Sequence, residues 1–192
     1  MRRCFGKIIN KIANKDKKVI LLVGDIGYGI FDEFRKNHPN RFYNMGICEQ
    51  SIIGFASGLA LEGLKPWVYT ITPFLIERPF EQIKLDIDQQ KTNVKLVGYA
   101  DYPTLGPSHS ELNAKKTMSV FKNIKSYFPK NSKETKKLTY RCYRSNSPTF
   151  ISLKTDKKIL KKFWVNGFKK NKFNHIQSQE IKKKLFSKNE KW

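Results

Sequence analysis

"FYNMGICEQSIIGFASGLALEG", residues 42–63, sets one acid, Glu49, at the mouth of a run of residues that otherwise favours burial. Beyond Glu49, the apolar residues Ile52, Ile53, Ala56, Leu59 and Ala60 follow at spacings of one, three and four, which is one face of a 3.6-residue helix. Gly54 and Gly58 thin the helix wall, and Gly63 reads as its C-terminal stop. An acid in a first helical turn has a plain reading, since unpaired N–H groups there favour an anion. The neighbours offer another. Met45, Gly46, Ile47 and Cys48 surround Glu49 with apolar and small groups, and burial disfavours the ionised form of a carboxyl group. A neutral carboxylic acid donates a hydrogen bond, and could polarise a basic ring nitrogen on a ligand.

Upstream, a helix over Arg3 to Asn14 leads through "KDKK" to the apolar run "VILLVGD", residues 19–25, which reads as a buried strand. A Gly-containing loop and a short helix near Phe31 to Lys36 precede the Glu49 helix. Downstream, "KPWVYTITPF" supplies a strand ending at Pro73, and Pro79 suits the first turn of a helix through "FEQIKLDIDQQ". "NVKLVGYA" is a strand and "SELNAKKTMSVFKNI" a helix. "KSYFP" is a short strand, "NSKETKKLTYRCYRS" a helix with Ser132 as a candidate cap, and "PTFISLK" the last strand. Strands alternating with helices predict an α/β fold, a doubly wound and mainly parallel sheet with helices on both faces. Ligands of such sheets gather at the carboxyl ends of the strands. Asp25, Phe74 and the loop from Ala100 to His109 all follow strands and are expected to meet there.

The 192 residues suffice for one such domain, taken as 1–154. Residues 155–192 change character: Lys- and Asn-rich with scattered aromatics, they read as a basic, partly disordered appendage. The net charge is +22, of which that segment carries +9, twelve Lys against Asp156, Glu180 and Glu190, leaving +13 for the rest. Lys dominates, and no RNA-binding aromatic motif, zinc finger or helix-turn-helix pattern accompanies it, so solvated Lys faces, an acidic partner surface or phosphorylated substrates fit better than nucleic acid. No apolar run of about 18 residues is present, so no membrane span is expected. The N-terminal stretch lacks the apolar core of a signal peptide. Cys4, Cys48 and Cys142 are odd in number without CxxC spacing, and His38, His109 and His175 are scattered. That pattern predicts a reducing, cytoplasmic setting and no side-chain metal cluster.

"RFYNMGICEQSIIGFASGLALEGLKPWVYTITPFLIERPFEQIK" resembles the pyrimidine-binding domain of the transketolase family of thiamine diphosphate enzymes. The likeness runs from "VGDIG" through "VKLVGYADYPTLGPSHSE" to "SPTFISL", about four-fifths of the chain, with the acid motif, the downstream aromatic, the Gly-Pro-x-His turn and the closing strand in the family's order. The resemblance implies that Glu49 hydrogen-bonds the ring nitrogen of the cofactor's aminopyrimidine and promotes its imino form, which removes the thiazolium proton. Phe74 then corresponds to the aromatic that stacks on the pyrimidine, with Phe80 a second aromatic wall. Asp25 matches an acid near the cofactor, or caps the turn that follows it. His109 matches a histidine on the substrate side, suited to bind a ketose hydroxyl or shuttle a proton. Lys154 stands where relatives often carry a basic residue for substrate phosphate, or is a surface Lys.

Three departures accompany the likeness. Leu105 in "LGPSH" replaces an acid that binds donor hydroxyls, and the loop before it is shorter. The Gly-Asp-Gly…Asn motif for magnesium and diphosphate is absent, so the resemblance implies a split enzyme whose Mg2+ and diphosphate rest on a partner subunit, in a hetero-oligomer acting on sugars or sugar phosphates. The family's third domain is also absent, although "FWVNGFKKNKF" resembles the linker into it, so the chain is either naturally short or truncated there. A β-type subunit of a 2-oxo acid dehydrogenase uses the same glutamate logic, and a noncatalytic remnant serving as an interaction module would keep the same fold.

Overall fold

The computed structural model describes residues 1–100, 107–110 and 113–154. The expected appendage, 155–192, and Leu105 lie outside the described residues.

The described residues form six parallel strands: β1 (Val19–Val23), β2 (Phe42–Asn44), β3 (Lys65–Ile71), β4 (Lys95–Tyr99), β5 (Lys125–Tyr127) and β6 (Thr149–Leu153). They form one sheet in the order β2-β1-β3-β4-β6-β5. β1, β4 and β6 are buried throughout, and β3 from Pro66 onward, because both faces of the sheet are covered there. Alternation along each strand sends side chains to two separate cores. Val19, Leu21, Val23, Trp67, Tyr69, Val97 and Ile151 join one core, under α1 (Arg2–Lys15), α2 (Asp32–Asn37) and α7 (Ser132–Arg144). Ile20, Leu22, Val68, Leu96 and Phe150 join the other. That second core is completed by Ile52, Ile53 and Ala56 of α3 (Glu49–Leu61), Leu75 and Ile76 of α4 (Thr72–Ile76) and Met118 of α6 (Ala114–Met118). The doubly wound parallel sheet expected from the alternation of elements is therefore the observed architecture. Among the described residues no helix is long and apolar enough to cross a membrane.

Several elements differ from the sequence expectation. Strand β2 is not among the expected strands: it is three residues long and sits at the sheet edge, with Tyr43 and Asn44 exposed, so it lacks an apolar run. Pro73 does follow the end of β3, but it opens a further helix, α4, because proline needs no N–H partner in a first turn. The helix after Pro79 consists of a short α5 (Phe80–Gln82) continuing into a π-helical segment, Ile83–Gln89. The helix expected across residues 110–124 shrinks to α6, capped by Asn113, whose side chain accepts from the Lys116 N–H. Phe121 and Ile124 remain buried beyond its end. The cap of α7 is Asn131 rather than Ser132. Its Oδ1 accepts from the Glu134 N–H at 2.9 Å while Glu134 Oε2 accepts from the Lys130 N–H at 2.9 Å, a reciprocal arrangement resembling a capping box.

Two glycines sit at close approaches, one to a helix start and one to a neighbouring strand. At Gly98 in β4 an added Cβ would collide with Thr72 Oγ1 and lie 3.2 Å from the Thr72 Cα, so a side chain there would push against the first residue of α4. At Gly24, after β1, it would lie 2.9 Å from Thr70 Oγ1.

Candidate functional site

Glu49 begins α3 directly after β2 and the turn at Gly46, whose φ of +74° suits a residue without Cβ. Asn44, at the end of β2, organises this entry. Its Oδ1 accepts from the Gly46 and Asp25 N–H groups, each at 3.1 Å, and its Nδ2 donates to Asp25 Oδ1 at 3.0 Å. The ends of β1 and β2 are thus tied together just ahead of the acid. Cys48, the N-cap, turns its thiol to the Met45 carbonyl and makes no side-chain cap, so Glu49 is the acidic group at the open end of the helix.

Glu49 is 5% exposed. Its Oε2 accepts from Arg78 Nη1 at 3.0 Å, and its buried Oε1 has no hydrogen-bond partner. A buried carboxyl oxygen left unsatisfied is costly, and a ligand donor or acceptor placed there would relieve that cost. Arg78, 29 positions away, arrives from the segment after α4 and forms an ion pair with it, a partner that the apolar neighbours in sequence do not reveal. Gln50 Nε2 donates to the Arg78 carbonyl at 3.4 Å, so the start of α3 also holds that backbone.

The Arg78 guanidinium lies 3.5 Å from the centroid of the Phe74 ring. Against the same ring stands His109, with centroids 4.8 Å apart and planes at 63°. His109 ends the 3-10 turn Pro107–His109 that follows β4, and its Nδ1 is 3.1 Å from Ser108 Oγ. Glu49, Arg78, Phe74 and His109 therefore form one continuous chain of contacts at the carboxyl ends of the strands. This is the end of a doubly wound sheet where ligands collect. The group combines a buried, unpartnered carboxyl oxygen, a flat aromatic surface and an imidazole, which suits a planar heterocycle with a basic nitrogen.

The other expected residues are Asp25, Phe80 and Lys154. Asp25, with φ of +49°, takes a left-handed turn that Asp tolerates, and its Oδ1 also accepts from the Tyr28 hydroxyl at 3.3 Å. With the contacts to Asn44, this ties the Asp25 carboxyl to side chains on both flanking segments. Phe80, expected as a second aromatic wall, is partly exposed at the start of α5. Its ring lies 5.0 Å from Phe121, the natural neighbour once the proline-led turn carries it past α4. Lys154 is exposed just beyond the carboxyl end of β6. Arg78 was missed by sequence reasoning, although its place four residues after Phe74 on a helical path was a readable signal for contact.

The transketolase pyrimidine-binding domain family matches residues 1–158. An apulose-4-phosphate transketolase subunit of Actinobacillus succinogenes is 37% identical over 123 residues, 62% of this chain and 40% of that protein. The 1-deoxy-D-xylulose-5-phosphate synthase of Halothermothrix orenii is 31% identical over 155 residues, 77% of this chain and 23% of that protein. Among solved structures, one described as a split gene transketolase, inactive beta4 tetramer, superposes with a TM-score of 0.72 at 29% identity, covering 80% of this chain and 50% of that one. The chain spans between about a quarter and a half of the length of these proteins.

Proposed function

The chain belongs to the transketolase pyrimidine-binding domain family, and from that premise we propose that it is one subunit of a split, thiamine diphosphate-dependent transketolase-like enzyme. The reaction is transfer of a two-carbon ketol unit between sugar or sugar-phosphate substrates. When bound, thiamine diphosphate supplies the carbon nucleophile that such a transfer requires. The observation that carries the reading is the buried Glu49, which leaves Oε1 unpartnered while its Oε2 joins Phe74 and His109 through Arg78.

In this proposal Glu49 holds a proton at the pyrimidine ring nitrogen, and Phe74 offers its face to the ring. His109 orients substrate hydroxyls or moves a proton between them and solvent. Asp25 and Lys154 follow strands at the same end of the sheet, and in this reading Lys154 meets a substrate phosphate. Residues 1–154 form the pyrimidine-binding domain, and 155–192 an appendage to it. Diphosphate and Mg2+ are held by a partner subunit. Two kinds of observation support that partner. One relative carries the name of a transketolase subunit, and a related structure is described as a split gene transketolase in an inactive beta4 tetramer. In addition, Ile47 (72%), Phe55 (45%) and Leu61 (65%) of the α3 region are exposed apolar side chains of the kind that protein interfaces cover. Relatives named as transketolase subunits and deoxyxylulose-phosphate synthases favour ketol transfer over 2-oxo acid dehydrogenation.

The test is Glu49→Gln in the assembled enzyme, read as exchange of the cofactor's thiazolium proton with deuterium. An amide cannot hold the carboxylic proton, so exchange is expected to fall by at least about two orders of magnitude, the upper part of the range typical of one acid–base group being about 10⁴-fold. Wild-type exchange in the variant contradicts the role.

A further inference from the structure

Arg78 engages both groups that the proposed cofactor site would use. Its guanidinium donates to Glu49 Oε2 at 3.0 Å and lies 3.5 Å over the Phe74 centroid. Stacked aromatic rings place their centroids about 4.5–7 Å apart, so a planar cation at this distance leaves no room for a heterocycle on the same face. A guanidinium is itself planar, charged and a bidentate donor, which makes it a fair imitation of a protonated aminopyrimidine. Its side chain is 40% exposed, whereas that of Glu49 is 5% exposed, so the arginine can swing to solvent while the acid stays in place.

We propose that Arg78 is a placeholder for the aminopyrimidine: in the unliganded chain it covers Phe74 and satisfies Glu49, and it leaves the ring face when the pyrimidine enters. The inference rests on the pyrimidine-site reading above. It gives the chain a defined resting state, because without Arg78 the buried acid would stand beside a bare aromatic face with neither oxygen paired. Cofactor entry then exchanges one cation-on-ring contact and one ion pair for another planar ring and its nitrogen. The exchange is nearly balanced, so binding is selective for a group that replaces both contacts at once. A ligand that only stacks, or only pairs with the acid, must displace Arg78 without full compensation.

The test uses the full-length chain labelled with 15N-arginine, and as probe the cofactor's isolated pyrimidine head, 4-amino-5-hydroxymethyl-2-methylpyrimidine, which needs no diphosphate site. In the free chain the Arg78 Nε–H resonance, assigned through Arg78→Lys, is expected upfield from the ring current of Phe74, and Phe74→Leu is expected to remove that shift. Saturating probe should likewise remove it in the wild type. Arg78→Lys keeps a cation for Glu49 but lacks the flat group, so it should bind the probe about 2- to 5-fold more tightly, the factor equivalent to an exposed cation–π contact. Phe74→Leu should weaken probe binding. Probe binding with the Arg78 resonance unmoved, or no gain in Arg78→Lys, overturns the placeholder alone. Failure of both wild type and Arg78→Lys to bind the probe overturns the placeholder together with the pyrimidine-site reading.

Discussion

Replacing Gly98 by alanine tests how the sheet seats the aromatic surface. The added methyl would collide with Thr72 Oγ1 and stand 3.2 Å from both the Thr72 Cα and the Phe150 ring, so relief requires movement of the first residue of α4 or of a core ring. Overpacking of this kind typically costs about 1–3 kcal/mol. For a chain of this size, about 2 kcal/mol corresponds to a fall in Tm of roughly 4–8 °C. Because Phe74 lies two residues beyond Thr72 on a five-residue helix, the same displacement should disturb the Phe74–His109 contact. Thr72 Oγ1 is buried without a hydrogen-bond partner, so Thr72→Ala removes the colliding atom without orphaning a donor or acceptor elsewhere. The double variant should therefore be more stable than Gly98→Ala alone, with a coupling on the order of 1–2 kcal/mol in urea melts followed by circular dichroism. Strict additivity of the two substitutions, or an unchanged melt for Gly98→Ala, refutes the requirement for glycine at the approach of α4.

Phe74→Ala should weaken thiamine diphosphate binding by the reconstituted complex, since a stacked aromatic pair contributes about 0.5–1.5 kcal/mol beyond its area, roughly 2- to 13-fold in affinity. Calorimetry that gives an unchanged affinity counts against stacking at this residue. Lys95, buried in β4 with Nζ donating to the Ser145 and Ser147 carbonyls at 2.8 and 2.7 Å, has its pKa pushed down by burial to about 8 from 10.5. The unfolded chain then binds more protons than the folded one between pH 8 and 10.5, so this group's contribution makes the fold more stable as pH rises through that window. The gain is on the order of 3 kcal/mol. Denaturant titrations of wild type and Lys95→Met across about pH 7–11 isolate this contribution. Parallel pH profiles for the two proteins would show that Lys95 is not the group responsible.

Much of this fold is legible in the sequence because burial on both sheet faces leaves a continuous apolar run, as in Val19–Val23 and Thr149–Leu153. The Glu49 helix is legible for a different reason: its apolar face and its glycine stop both lie within a single helix length. What stayed hidden depends on tertiary context. The edge strand Phe42–Asn44 pairs on one side with β1 and carries no burial pattern of its own. Met118, Phe121 and Ile124 keep helical spacing in sequence, yet only the first lies in α6 and the others reach the core from irregular backbone. At the site, Glu49, Phe74 and His109 were each marked by the strand or helix end that presents them. The Arg78–Glu49 ion pair spans 29 positions and joins elements on different turns of the fold, so no local pattern announces it. The contact of Phe80 with Phe121, 41 positions away, is equally a product of the fold.

The central claim is that this chain holds the pyrimidine end of the cofactor and depends on another subunit for the diphosphate end. Titration calorimetry of thiamine diphosphate with Mg2+ tests it most directly, first with the purified chain and then with an equimolar diphosphate-binding transketolase subunit. The expected result is no tight binding to the chain alone and micromolar or stronger binding once the two polypeptides are mixed. Micromolar, magnesium-dependent binding by the single chain would contradict it.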